Sequence, residues 1–213
     1  MALTDRFCFN LMLLCCLALG VAGCAAPDKT ARVSTYDFGP GNLPSPSAGA
    51  PAVPALSTLA LADIDAPAAL DSTAVLYRLV YADAQQPRAY AQARWSMVPA
   101  QLLRQRLRAH LGQSRTILNL GEAAASAQAV VLRIELEEFC QVFERADAST
   151  GLVRLRATAL QSTPQGERLL GQRSVVVSRP APTADASGGV RALTAATDAA
   201  VLELETWLGG LRR

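Results

Sequence analysis

Nucleophilic catalysis by a thiol needs a cysteine within reach of a base. This chain offers little raw material for it: His110 is the only histidine, and Cys140 is the only one of five cysteines beyond residue 24. The two fall in different predicted elements, which leaves a dyad open. The patterns around them favour a simpler reading, with His110 at the edge of a helical leucine stripe and Cys140 a buried small hydrophobe in a strand. Metal sites cluster histidine, cysteine and carboxylates. The acidic run DIDAPAALD, with Asp63, Asp65 and Asp71, follows a calcium-loop pattern for two positions. Pro67 and Ala68 then occupy the places of the next ligand and the turn glycine, so a strand-end turn is expected. There is no Gly-x-Ser-x-Gly elbow, and with Lys29 the only lysine a Walker-type ATPase is excluded. The expectation is a protein that is not an enzyme and uses no cofactor and no metal.

Another cysteine chemistry lies near the N-terminus. Arg6 provides a charged start, offset by Asp5, the run Phe7 to Ala22 is almost wholly apolar, and the small residues Ala22 and Gly23 precede Cys24. This is the plan of an export signal. The run falls short of the ~20 apolar residues that a spanning helix needs. The stretch Val21-Ala22-Gly23-Cys24 resembles a bacterial lipobox. That resemblance implies acylation of the Cys24 sulfur, cleavage after Gly23, and acylation of the freed nitrogen. It also implies the outer membrane, because Ala25 replaces the aspartate that retains lipoproteins at the inner one. Two or more acyl chains anchor a protein stably, so a lipidated Cys24 would bind the chain to a membrane. Cys8, Cys15 and Cys16 would leave with the signal, and Cys140 alone remains as a thiol, with no intramolecular disulfide available.

The positioning elements begin after this anchor. Residues 1–23 read as a lipoprotein signal peptide, 24–32 as a tether, 33–208 as a single domain and 209–213 as a tail, a length suited to one core. Net charge is +2, acids and bases are interspersed, and aromatics make up 5%. Neither a basic patch nor a base-stacking surface is indicated, so no nucleic-acid partner is expected. A first strand is predicted over Val33 to Phe38, followed by the Pro/Gly-rich loop 39–55, which lacks periodicity. If that strand docks, the tether spans roughly 30 Å at most, and the domain stays close to its own leaflet.

Alternation predicts strands over Leu56 to Ile64, Val75 to Tyr81 and Tyr90 to Met97, the last two forming a hairpin around the loop ADAQQPRA. The period then changes: Leu103, Leu107 and Leu111 recur along PAQLLRQRLRAHL, bounded by Pro99 and Gly112. This is an amphipathic helix on which Arg104, Arg106 and Arg108 form a basic outer side, either solvated or facing a partner or lipid headgroups. Strands follow over Ala129 to Glu144, with a phase slip at Glu138-Phe139, over Leu152 to Leu160, and over Leu169 to Ser178. A meander of these three sets Glu135 and Glu137 opposite Arg154 and Arg156. A second amphipathic helix runs from Gly189 to Leu208, with Val190, Leu193, Val201, Leu204 and Leu208 on one side and Arg191, Asp198 and Glu205 on the other. The fold class is α+β, a largely antiparallel sheet with two amphipathic helices packed on one face.

Taken in order, the lipobox, YDFGP, LDSTAVLYRLVY, YAQARWSMVPAQLLRQRL, LRIELEEFCQVFE, VRLRATAL and a last helix bearing Trp207 resemble the ABC-type transport auxiliary lipoproteins, relatives of paraquat-inducible protein C. The resemblance runs from about Tyr36 to Trp207. Its most specific block is Tyr77-Arg78 with Tyr90, Arg94-Trp95 and Pro99, and the Pro-rich insert before Leu56 departs from it. It implies an outer-membrane lipoprotein on the periplasmic side. Such a protein would serve as the accessory part of a lipid-transport system with an MCE-domain protein, a permease and an ATPase. A homo-oligomer and a bound phospholipid are compatible with it. The alternative reading is a structural lipoprotein of outer-membrane assembly or envelope maintenance.

Overall fold

The computed structural model describes residues 32–40, 56–123, 129–163 and 165–211. The signal segment, Cys24, the tether up to residue 31 and most of the Pro/Gly-rich loop lie outside them. The elements are β1 (Ser34–Tyr36), β2 (Leu56–Asp65), β3 (Ala74–Leu79), β4 (Asp83–Trp95), α1 (Pro99–Leu111), β5 (Arg115–Asn119), α2 (Leu120–Ala123), β6 (Val130–Arg145), β7 (Ala148–Thr163), β8 (Gly166–Pro180) and α3 (Ala186–Gly209). Among the described residues this is a mixed α/β arrangement, one eight-stranded sheet with three helices.

Strand β6 organises the sheet. On one edge it pairs antiparallel with β7, which pairs antiparallel with β8, giving the predicted meander. On its other edge β6 serves two neighbours in turn. Residues Val130 to Glu135 pair parallel with β2, and Gln141 to Phe143 pair parallel with β3. The sheet therefore forks, one branch continuing to β5 and the other through β4 to β1. Between the two branches the β6–β7 register shifts, from Leu136↔Leu155 to Glu138↔Arg154, which leaves Glu137 as the extra residue. A bulge of this kind bends the strand and raises its twist, and it falls where the two branches part.

The long pairs β6–β7 and β7–β8 and the β3–β4 hairpin are antiparallel as expected, whereas the shorter pairs β1–β4, β2–β5, β2–β6 and β3–β6 run parallel, which the sequence reading did not foresee. Alternation in one strand reports its buried face and says nothing of its partner's direction. Parallel partners are joined by crossovers, and here the segment from β3 to α1 supplies the crossover between β2 and β5. Strand β5 and α2 had no counterpart in the sequence reading. The hairpin is also tighter than expected. β4 starts at Asp83, so most of ADAQQPRA is strand, and Val80, Tyr81 and Ala82 form the turn. Pro87 is tolerated because the edge of β4 away from β3 has no ladder partner there among the described residues.

The buried faces of α1 (Leu102, Leu103, Leu107, Leu111) and α3 (Val190, Leu193, Val201, Leu204) join Leu132, Ile134, Leu136, Val153, Leu155, Val175 and Val177 of the sheet in one core. Pro99 opens α1, where its missing N–H costs nothing. Asp185 caps α3 by accepting a hydrogen bond from the Gly188 N–H at 2.7 Å. Helix α3 lies so close to β7 that a Cβ on Gly151 would sit 2.5 Å from the backbone of Ala192 and Leu193.

Candidate functional site

The first described strand is β1, aligned with β4 so that Ser34 faces Ala93 and Tyr36 faces Trp95. The Asp37 carboxylate then accepts from the Gly39 N–H at 2.7 Å, and Gly39 adopts φ +60°, turning the chain off the strand. The turn drives Phe38 inward. Its ring meets Trp95 edge-on at 5.6 Å and Phe139 at 6.0 Å, and Trp95 lies 5.5 Å from Phe139. The segment next to the tether is thus plugged into the core by an aromatic side chain.

The three arginines of α1 do not share one face. Residues two apart lie ~200° apart around a helix, so 104 and 108 point together and 106 points away. Arg104 and Arg108 both donate to Asn119 Oδ1, at 3.4 and 3.1 Å, and Arg104 also pairs with Asp63 at 3.3 Å. Arg106 is 6% exposed. Its Nε lies 3.1 Å from Asp198 Oδ1 on α3, its Nη2 donates to the carbonyls of Phe38 and Gly39, and its guanidinium carbon sits 5.8 Å from the Phe38 ring centre. The expected basic outer side is therefore corrected at Arg106, which is interior and ties α1, α3 and the Phe38 plug together. One turn on, His110 Nε2 lies 2.7 Å from Glu205 Oε2, and Ser114 Oγ donates to Glu205 Oε1 at 3.3 Å. Burial pushes the Asp198 carboxyl above its ordinary range, with Arg106 and His110 pulling the other way.

Cys140 is buried on β6, its thiol 3.8 Å from Glu138 Oε1, and burial pushes its pKa up to about 11. A thiol so raised is held in its non-nucleophilic form. The polar contacts of His110 and Cys140 run to different carboxylates, Glu205 and Glu138. Asp63, Asp65 and Asp71 line an open cleft of about 410 Å³ with Leu70, Gln101 and Arg104. Among the described residues no three metal-ligating side chains are grouped to hold an ion. The exposed face of the meander carries charge pairs: Arg156 meets Glu137 at 2.6 Å, and Glu138 lies between Arg154 at 3.4 Å and Arg78 at 3.7 Å. Glu135 lies opposite Arg156 and Glu137 pairs with it, as the sequence reading set them, and the bulge at Glu137 hands Arg154 to Glu138 instead.

Two features escaped the sequence reading. Asp198 and Glu205, seven apart on α3, face Arg106 and His110, four apart on α1, and that matched spacing was the available signal. The second is a buried polar relay. Tyr90 Oη donates to Gln141 Oε1 at 2.9 Å, and Gln141 Nε2 donates to Ser149 Oγ at 2.7 Å.

A model of the family described as ABC-type transport auxiliary lipoprotein component matches residues 42–204. The chain belongs to that family. The crystal structure of protein XCC0632 from Xanthomonas campestris, of family DUF330, is similar to this auxiliary lipoprotein with a TM-score of 0.63 and 20% identity over 84% of this chain and 91% of that one. An uncharacterized protein of known structure aligns with a TM-score of 0.61 and 12% identity, covering 83% of this chain and 99% of its own. At these identities the likeness shows the fold alone. No curated protein sequence matches the chain. Among the described residues no helix of this auxiliary lipoprotein is long and apolar enough to cross a membrane.

Proposed function

We propose that this protein is an outer-membrane-anchored, periplasm-facing accessory lipoprotein of an ABC/MCE-type lipid-transport system, and that it docks the component that spans the space between the membranes. Membership of the transport auxiliary family over residues 42–204 is the observation that carries the reading. The lipobox-like stretch ending at Cys24 supports the anchor. A domain held by a tether of roughly 30 Å receives a partner that crosses the periplasm and does not cross it itself.

The test is recovery of partners from cells cross-linked with the tagged, full-length lipoprotein. An MCE-domain protein with its permease and ATPase is expected. Repeated capture of barrel proteins without an MCE-domain protein overturns the reading. In the same cells Cys24→Ala is expected to give an unlipidated chain, and normal lipidation of that variant overturns the anchor.

A further inference from the structure

We infer that the β3–β4 turn, Val80-Tyr81-Ala82, is a membrane-contacting tip that dips into the lipid surface to which Cys24 attaches, so that the domain is held at two points. The inference rests on the lipidated Cys24 of the proposed function. It starts from direction. β1 runs parallel to β4, with Ser34 opposite Ala93, so the chain arrives from the direction of the Asp83 end of β4 and joins the sheet at the opposite end of that strand from the turn. Length agrees with direction. Fully extended, the chain from Cys24 to Val33 spans at most ~30 Å, and β4 from Gln92 back to Asp83 covers about the same at ~3.3 Å per residue. The tether length therefore allows Cys24, at full extension in that direction, to reach the level of the tip and no further.

The chemistry of the turn fits a lipid interface. Tight turns favour Gly, Asn, Asp, Pro and Ser. Here the three residues are Val, Tyr and Ala, with Val80 37% and Tyr81 52% exposed. The sequence pattern ran the strand through Tyr81; the strand ends at Leu79, and the Tyr81 side chain is in solvent. Tyrosine, apolar in body with a polar end, is enriched where hydrocarbon meets water. The tip is also braced. The Val80 N–H donates to the Phe143 carbonyl at 3.0 Å, the Ala82 N–H to the Leu79 carbonyl at 3.0 Å, and Arg78 Nη1 to the Ala84 carbonyl at 2.7 Å. Behind it Tyr77 packs on Tyr90 at 4.5 Å and on Phe143 at 6.0 Å. Exposed apolar side chains on a braced turn keep their position, which suits them to orient the domain on a surface. A lipid anchor alone fixes distance and leaves orientation free.

The test uses the full lipidated protein carrying Cys140→Ala, reconstituted into phosphatidylethanolamine/phosphatidylglycerol vesicles containing a quencher-bearing phospholipid. An environment-sensitive fluorophore is attached at Tyr81→Cys or, for comparison, at Glu167→Cys on the exposed start of β8. Flotation with the vesicles and quenching are read on the same samples. The expected result is flotation of both, with loss of most of the emission at position 81 and little at 167. A protein that floats with position 81 no more quenched than 167 overturns the inference and leaves the anchor intact. Position 81 shielded from an aqueous quencher yet beyond reach of the lipid quencher means that a protein covers the tip, and this also overturns it. A wild-type chain that fails to float overturns the anchor and this inference with it.

Discussion

Arg106 of α1 lies 3.1 Å from Asp198 of α3 while its other nitrogen donates to the carbonyl of Phe38. One guanidinium thus joins two helices and the segment next to the tether. Geometry sets the requirement: a planar fork reaches the carboxylate through Nε and the carbonyl through Nη2, and a lysine has one nitrogen for both. Arg106→Ala leaves the Phe38 carbonyl without its donor and takes from Asp198, whose side chain is 38% exposed, its charged partner. A loss of about 2–3 kcal/mol is expected in urea unfolding, with Arg106→Lys recovering only part of it. A lysine variant as stable as wild type would mean that charge alone matters at this position.

Asp198 gives that pair a pH dependence. Burial raises its carboxyl above the ordinary 3.8, against the pull of Arg106 and His110, so the folded state holds the proton more tightly than the unfolded one. The contribution of a raised group is fully present below 3.8 and is lost as pH rises through the folded value. Relative to Asp198→Asn, which does not titrate, the wild type is expected to lose stability as pH climbs through the window that opens at 3.8. Unfolding midpoints of the two proteins across that window provide the check, and a difference that grows in the other direction contradicts the assignment.

Gly151 marks the closest approach of helix to sheet. A methyl group there would sit 2.5 Å from two backbone atoms of α3, and backbone cannot swing aside as a flexible side chain can. Gly151→Ala is expected to destabilise by about 2–3 kcal/mol or to shift α3 off β7. Gly121→Ala, where no atom lies within 4 Å, is the control that should leave the urea midpoint nearly unchanged.

What could be read in advance follows from which signals are local. The leucine stripe of α1 and the alternation of β6 to β8 depend only on which side of an element is buried; α1 appears over the predicted Pro99–Leu111, β6 within a residue of its expected ends, and β7 and β8 run several residues longer than expected. The phase slip near Glu138 was visible because a bulge interrupts alternation, although the register places it one step earlier, between Leu136 and Glu138. Partner identity is not local. Nothing along β2 or β3 reveals that each lies parallel to a different half of β6, and nothing along α1 reveals that Asp198 waits across from Arg106. At the candidate site the same division holds. The Cys24 anchor is an expectation from its flanking residues and lies outside the described ones, whereas the Phe38 plug and the exposed Tyr81 depend on where a strand stops.

Cys140 should behave as an inert thiol. It is buried and its pKa is pushed up to about 11, so at pH 8 almost none is thiolate, and reagents reach it poorly. Folded protein treated with iodoacetamide at pH 8 is expected to stay unmodified at Cys140 by mass spectrometry and to react promptly once urea unfolds it. Rapid alkylation of the folded chain would make Cys140 accessible and would reopen the thiol as a reactive group.

Asp185 provides the clearest separation of charge from geometry. Its side chain accepts the Gly188 N–H at 2.7 Å and the Thr183 hydroxyl at 2.8 Å, and these bonds, the backbone one first, hold its carboxyl below the ordinary 3.8. Replacing an N-cap by alanine costs about 1 kcal/mol, whereas asparagine caps nearly as well. Asp185→Ala should therefore lower stability by about that amount at neutral pH, with Asp185→Asn close to wild type. The lowered carboxyl adds a test that a purely steric cap would fail. Its ionised contribution is present above 3.8 and fades as pH falls through the lower folded value, so any advantage of aspartate over asparagine should close in that acid range and stay constant above it. Because α3 carries Asp198, Glu205 and Trp207, a frayed first turn would also be felt at the α1 contact. The Asp185→Ala variant is accordingly expected to expose the amides of Gly188, Gly189 and Val190 to hydrogen exchange before those near Glu205.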